Sequence, residues 1–192
     1  MKKLNVLFIC GLMMLTQITL AQTSQGNLML GGTGNIGLQD IGNDNGGGST
    51  FGISIAPNVG YFVIDNLAVG GSLGLGFASN DAGNVSVFSF IPFARYYFNI
   101  TDSKIKPFAT AGAGYSRTKS NPDVGTESTA SGFVFFIGPG ATYFLNENVG
   151  IDAILQFTRN SIASEFGGFE TDINSSDLSL QIGFQIFLSR NE

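Results

Sequence analysis

Histidine is absent from the 192-residue sequence. That omission removes His-based triads, imidazole proton shuttles and His-ligated metals together. Cysteine occurs once, at Cys10, so no disulfide can form within the chain. Charge is scarce, at 12% of residues against a usual share of about 25%. Nine Lys+Arg face fourteen Asp+Glu, which excludes a nucleic-acid binder. With 43% hydrophobic residues the chain is not disordered, and it has no coiled-coil composition. Beyond residue 26 no apolar run reaches the ~20 residues a membrane helix needs, and no 3.6-residue period is sustained.

What is abundant is glycine and phenylalanine. Glycine stands at 27, roughly twice its ordinary usage of about 7%, and Phe at 18. The length predicts a single domain. Residues 1–21 have the layout of a secretory signal: Lys2 and Lys3, an apolar stretch from Leu4 to Leu15, then Thr19-Leu20-Ala21 before Gln22. The alternative, a retained membrane helix, is interrupted by Asn5, Thr16 and Gln17. Cys10 sits mid-run behind bulky Phe8 and Ile9, the wrong place for a lipoprotein cut. Cleavage would leave residues 22–192 with no cysteine, seven Lys+Arg, fourteen Asp+Glu and a net charge of −7.

The mature part alternates with period two, the signature of strands with one apolar face. Eight segments carry it. They are marked by Leu28 to Leu38, Phe51 to Tyr61, Leu67 to Phe77, Phe88 to Phe98, a weaker stretch near 105–117, Phe133 to Leu145, Ile151 to Phe157, and Leu178 to Leu188. The opposite faces are small rather than charged: Ser54, Ala56, Asn58 and Gly60, or Ala68, Gly70, Ser72, Gly74 and Gly76. A water-facing surface would carry charge. Bulky apolar faces outside and small faces inside predict a barrel with lipid around it and a narrow interior.

Connections alternate in length, with short turns near 64–66, 99–104 and 146–148 and longer ones at 40–49, 79–84, 118–130 and 159–176. Short periplasmic turns against longer outer loops are the asymmetry of an outer-membrane barrel. A repeat, Pro-x-x-x-Tyr-aromatic, recurs at Pro57–Phe62, Pro92–Tyr97 and Pro139–Phe144. If each Pro and Tyr faces lipid, then Gly60, Arg95 and Thr142 face inward. Tyr61, Tyr96 and Tyr143 would form one level of the interfacial girdle. Proline inside paired strands sits awkwardly here, since it cannot donate to a ladder. The same parity turns Arg95 and Asp152 into the lumen at similar depth and predicts a buried ion pair between them.

The signal, the Tyr61-Phe-x-x-Asp-Asn-Leu-Ala68 turn, the run Pro92-Phe-Ala-Arg-Tyr-Tyr-Phe98 and Lys106-Pro107-Phe108 resemble the small outer-membrane β-barrel family of Gram-negative bacteria. This is the OmpA/OmpX-like "outer membrane protein beta-barrel domain" group, and the resemblance covers essentially all of 26–190. It implies architecture rather than an activity. One departure is the end, where Phe187-Leu188 is followed by Ser189–Glu192 instead of terminal aromatics.

Few motifs suggest chemistry. Gly32-Thr33-Gly34-Asn35-Ile36-Gly37 matches Gly-x-Gly-x-x-Gly, but a dinucleotide fingerprint needs a following helix to hold the pyrophosphate. Gln39 to Asn45 and three further glycines read as loop instead. Asp40, Asn43, Asp44 and Asn45 could offer oxygens to calcium, yet their spacing matches no EF-hand and suits turn chemistry. Glu165, Phe166, Phe169, Glu170 and Asp172 form an acidic loop with two aromatics, read as solvated or as a contact surface for an external partner. Enzymes on this scaffold resemble His-centred triads or dyads, and Ser with Asp alone lacks a general base of near-neutral pKa.

The expected fold is all-β: an eight-stranded antiparallel up-and-down transmembrane β-barrel. The expected role is non-enzymatic, in envelope integrity or surface interaction through loops 40–49, 118–130 and 159–176. Its neighbours would be outer-membrane lipid and an external partner. Neither cofactor nor nucleic acid is expected, and a monomer is favoured. The alternative is a narrow porin-like or carrier barrel for a small, apolar solute, held in a cavity between the glycines of the third strand and Phe62, Phe93 and Phe144.

Overall fold

The computed structural model describes residues 20–41, 48–80, 83–99, 104–123, 127–166 and 169–189. Eight strands follow one another: β1 (Leu28–Ile41), β2 (Gly48–Ile64), β3 (Leu67–Asn80), β4 (Gly83–Tyr97), β5 (Ile105–Pro122), β6 (Ser128–Phe144), β7 (Val149–Phe166) and β8 (Phe169–Leu188). Each pairs antiparallel with the next, and β1 pairs with β8 to close the barrel. Both chain ends therefore lie at one end, where Leu28 is opposite Leu188. A short 3-10 turn, Leu20–Thr23, precedes β1 there.

Alternation decides which side chains go where. Phe51, Ile53, Ile55, Val59 and Tyr61 on β2 are exposed on the outside, as are Val69, Leu73, Leu75 and Phe77 on β3. Their sequence neighbours Phe62 and Ala68 are fully buried inside. The outward rows are apolar along a defined length. From Tyr143 to Phe133 on β6 is ten residue steps. At roughly 3.3 Å per residue and a strand tilt of about 40°, that spans about 25 Å, the height of the apolar band of a membrane barrel. Tyr61, Tyr96 and Tyr143 all point outward near the terminal end, 42–46% exposed.

The strands are longer than the sequence segments, and the far-end connections correspondingly shorter. Span 159–176 is mostly ladder, running from Arg159 opposite Ser176 to Phe166 opposite Phe169. The span 79–84 likewise shrinks, with Asn80 already opposite Gly83. A strand of about 9–11 residues crosses a bilayer. Beyond that length both faces meet water, so the ladder continues without the apolar alternation by which a strand is recognised in sequence.

Prolines 57, 92 and 139 face outward, and each leaves a gap in the ladder. Pairing of β2 with β3 passes from Ile55–Leu75 to Asn58–Ser72. That of β4 with β5 passes from Phe90–Tyr115 to Phe93–Gly112. That of β6 with β7 passes from Ile137–Phe157 to Gly140–Ile154. Register is unchanged across every gap. The missing N–H of proline removes rungs without shifting the strands. At the first gap Ser72 Oγ donates to the Pro57 carbonyl at 3.4 Å.

Closure is uneven. β1 and β8 pair from Leu28–Leu188 to Gly34–Ile182, seven rungs at the terminal end. Above Gly34, β1 continues paired only with β2, and above Ile182 β8 continues paired only with β7.

Candidate functional site

The lumen has two unlike halves. Toward the terminal end it is filled with aromatic rings. Tyr97 is central, its ring centroid 6.0 Å from Phe62, 5.4 Å from Phe108 and 6.2 Å from Phe187. Phe144 stacks on Phe187 at 5.1 Å. Met29, Phe62, Tyr97, Phe108, Phe144 and Phe187 are at most 2% exposed. These residues reach one another because six strands send a bulky inward side chain to the same level.

Within this plug lies a polar cluster. Arg95 Nη1 donates to Asp152 Oδ2 at 2.6 Å and to Tyr97 Oη at 3.3 Å. Thr142 Oγ1 donates to the other carboxylate oxygen, Asp152 Oδ1, at 2.6 Å. The Arg95 guanidinium lies 4.2 Å from the Phe108 ring centroid, a cation–π distance. Two charges taken from water need close pairing and further hydrogen bonds to be tolerated, and both are supplied here. The second ion pair among the described residues, Lys119 with Glu127 at 2.9 Å, is exposed and contributes little.

Below the plug the segment before β1 folds across the mouth. Thr23 Oγ1 donates to Asn66 Oδ1 at 2.7 Å, and the Asn66 N–H donates back to the Thr23 carbonyl at 2.7 Å. Asn66 has φ 66° in the two-residue turn between β2 and β3, a left-handed conformation that asparagine accepts readily. Lys106 Nζ donates to Thr23 Oγ1 at 3.2 Å and sits 5.7 Å from the Phe144 ring centroid.

Above the plug is a cavity of about 280 Å³. Arg95, Phe93, Phe136 and Ile154 line it where it meets the plug, and Ser54, Asn58, Ser72, Ser89, Gln156 and Gln181 are among its walls. Gly74 and Gly76 of β3 leave it space, as the sequence suggested. Phe93 also lines it, but Phe62 and Phe144 belong to the plug instead. Its walls are hydroxyls and amides as well as carbon, so an apolar solute is a poor match to it.

Arg95 and Asp152 are thus brought together, while Tyr61, Tyr96 and Tyr143 face away from the lumen. Glu165, Phe166, Phe169, Glu170 and Asp172 have paired backbones at the β7–β8 tip, and their side chains lie outside the described residues. Asn43, Asp44 and Asn45 also lie outside them; Asp40 is opposite Ser49 in the β1–β2 ladder. The glycines of 32–37 lie within β1, with no helix after them. Sequence reasoning missed Lys106 and Thr23. Extending the proline parity to Pro107, with Lys106 and Phe108 buried on either side, would have turned Lys106 inward.

Residues 7–162 match the family described as "Outer membrane protein beta-barrel domain". No curated protein matches the chain in sequence. Among solved structures the chain is similar to Neisserial surface protein A, with 17% identity, 84% of this chain and 97% of that one covered, and a TM-score of 0.55. It is similar to OprG of Pseudomonas aeruginosa at 12% identity, 88% and 99% coverage and a TM-score of 0.56. It is also similar to the N-terminal barrel domain of OprF from Pseudomonas aeruginosa, at 17% identity, 85% and 98% coverage and a TM-score of 0.51. Such identities speak to fold alone. The family match spans most of the chain, and the barrel has the closed eight-stranded form and apolar girth of a membrane-spanning one: the chain belongs to the outer membrane protein beta-barrel domain family.

Proposed function

We propose that the protein is exported, cut before Gln22, and serves the outer membrane as a closed, non-enzymatic barrel that supports envelope integrity and presents its far-end hairpins to the outside. The observation that carries this reading is the aromatic plug around Tyr97, which leaves no room for a solute to pass from end to end. The absence of histidine supports a role without catalysis. Purified protein in planar bilayers should give no resolved conductance steps, and steady single-channel currents would overturn the reading. Intact mass of the membrane-extracted protein should begin at Gln22; retention of residues 1–21, or recovery in the soluble periplasm, would refute export to this membrane. Orientation has its own test. A mature chain without cysteine allows single labels, so Asp123→Cys should react with a membrane-impermeant maleimide on intact cells, while Asp65→Cys should react only after lysis.

A second reading, binding of a small solute, is favoured by one feature, the cavity above Arg95. Its lining calls for a solute with a polar part.

A further inference from the structure

The cavity and the uneven closure of the barrel meet at one place. Gln181 and Ser179 of β8 and Gly34 of β1 line the cavity where the β1–β8 ladder stops. Below that point the two strands are in tight contact: a Cβ added at Gly183 would collide with the Gly32 carbonyl and Thr33. Gly34, opposite Ile182, is the last rung, and its outward side is open. A Cβ there would have only Ser54 O and Ile55 Cγ2 within 4 Å, both on β2, and nothing from β8. The outward side chains of β8 stand clear of β1 here, since Ile182 is opposite Gly34 and Leu180 and Leu178 have no rung to β1. Leu178 and Leu180 are 66% and 67% exposed, against 45% for Leu73 and for Leu75 on the far wall.

This opening lies within the apolar band. Leu180 is opposite Leu155 and Leu178 opposite Phe157, all four on the lipid-facing side. Unpaired strand edges in hydrocarbon are costly, so the seam favours an occupant or a path for water from the lumen. Two cavity-lining residues also carry buried polar atoms with no partner, Arg95 Nε as a donor and Asn58 Oδ1 as an acceptor. Such atoms are expected to find partners.

We propose that the cavity and seam together form a lateral site for a single-chain amphiphile, whose head is an alcohol or a carboxylic acid. An alcohol, or the acid in its protonated form, both donates and accepts, which answers the unpaired atoms on Asn58 and Arg95. The Arg95 charge is already balanced by Asp152, so a neutral head suits the site better than an anion. The cavity is large enough for the head and the first methylenes but not for a long chain. The tail leaves between β1 and β8 into the bilayer beside Leu180 and Ile182. A diacyl lipid, with two tails and a bulky headgroup, does not fit.

The test uses the mature protein in nanodiscs of perdeuterated lipid, with protonated dodecanol and dodecanoic acid as probes and dodecane and acetate as controls. Nuclear Overhauser contacts from the probe chain should concentrate on the amides of Gly34, Ser179 and Gln181, saturating with probe, and should be absent for both controls. Gly34→Phe, which places a ring over the gap where a Cβ has room, should weaken dodecanol binding at least tenfold. Leu73→Phe on the opposite wall should leave it unchanged. Heat-modifiable migration in gels checks that both variants fold, and Gln181→Leu, which removes a polar lip residue, serves if Gly34→Phe does not. Contacts spread evenly over outward amides, or dodecane binding as well as dodecanol, would overturn the proposal. Failure here leaves the closed-barrel reading standing, because that reading is decided by conductance.

Discussion

Arg95→Met should destabilise the barrel by about 3–5 kcal/mol, read as urea unfolding from lipid vesicles. The reason is what it leaves behind. Asp152 is 0% exposed, and without Arg95 its carboxylate keeps only the Thr142 hydroxyl at 2.6 Å. Asp152→Leu should be nearly as damaging, since it strands the guanidinium among Tyr97, Met29 and Phe108. The double variant should cost much less than the two single losses combined, because no charge remains desolvated and the plug becomes more apolar. Additive losses would mean that the ion pair is not what makes the single changes severe.

The second large effect belongs to the lipid face. Leu73 points outward midway between Val69, opposite Tyr61, and Phe77 near the far rim. Leu73→Arg should therefore destabilise by about 2–4 kcal/mol, the cost of a cation at the bilayer midplane. Ser72→Arg, one residue away, enters the cavity above Arg95 and should be tolerated with far less loss. Ser72 is a fairer comparison than Gly74, where any Cβ would meet Ser89 Oγ. Equal losses at 72 and 73 in the same urea titration would reject the assignment of faces.

How much of this could be read from sequence follows from where apolar alternation operates. Inside the bilayer one face must be greasy, so the eight segments, their parity and the inward turn of Arg95 and Asp152 are all legible. Beyond the bilayer that constraint lapses. The ladder from Arg159–Ser176 to Phe166–Phe169 is written in Ser, Asn, Thr and Glu, residues that also make loops. Strand β5 is faint because Ala109 to Gly114 is Ala and Gly apart from Thr110, so neither face is bulky and the inward turn of Lys106 goes unmarked. The mouth contacts of Thr23 with Asn66 and Lys106 join parts 43 and 83 residues apart, and no local pattern marks such meetings. The proline gaps are a different case. The missing N–H is visible in sequence, but that the neighbouring strands keep register across it is a property of the closed sheet.

The seven rungs that join β1 to β8 have a kinetic meaning. They link the first strand of the barrel to the last, so they are the contacts of greatest sequence separation and the slowest to be repaid for the entropy of closing a loop. Every other pairing can form between neighbours as hairpins. Without β8 in place, the seven earlier strands would leave one edge of β1 without a partner. Ring closure is therefore the pairing expected last, and it rests on Leu28 to Gly34 and Ile182 to Leu188.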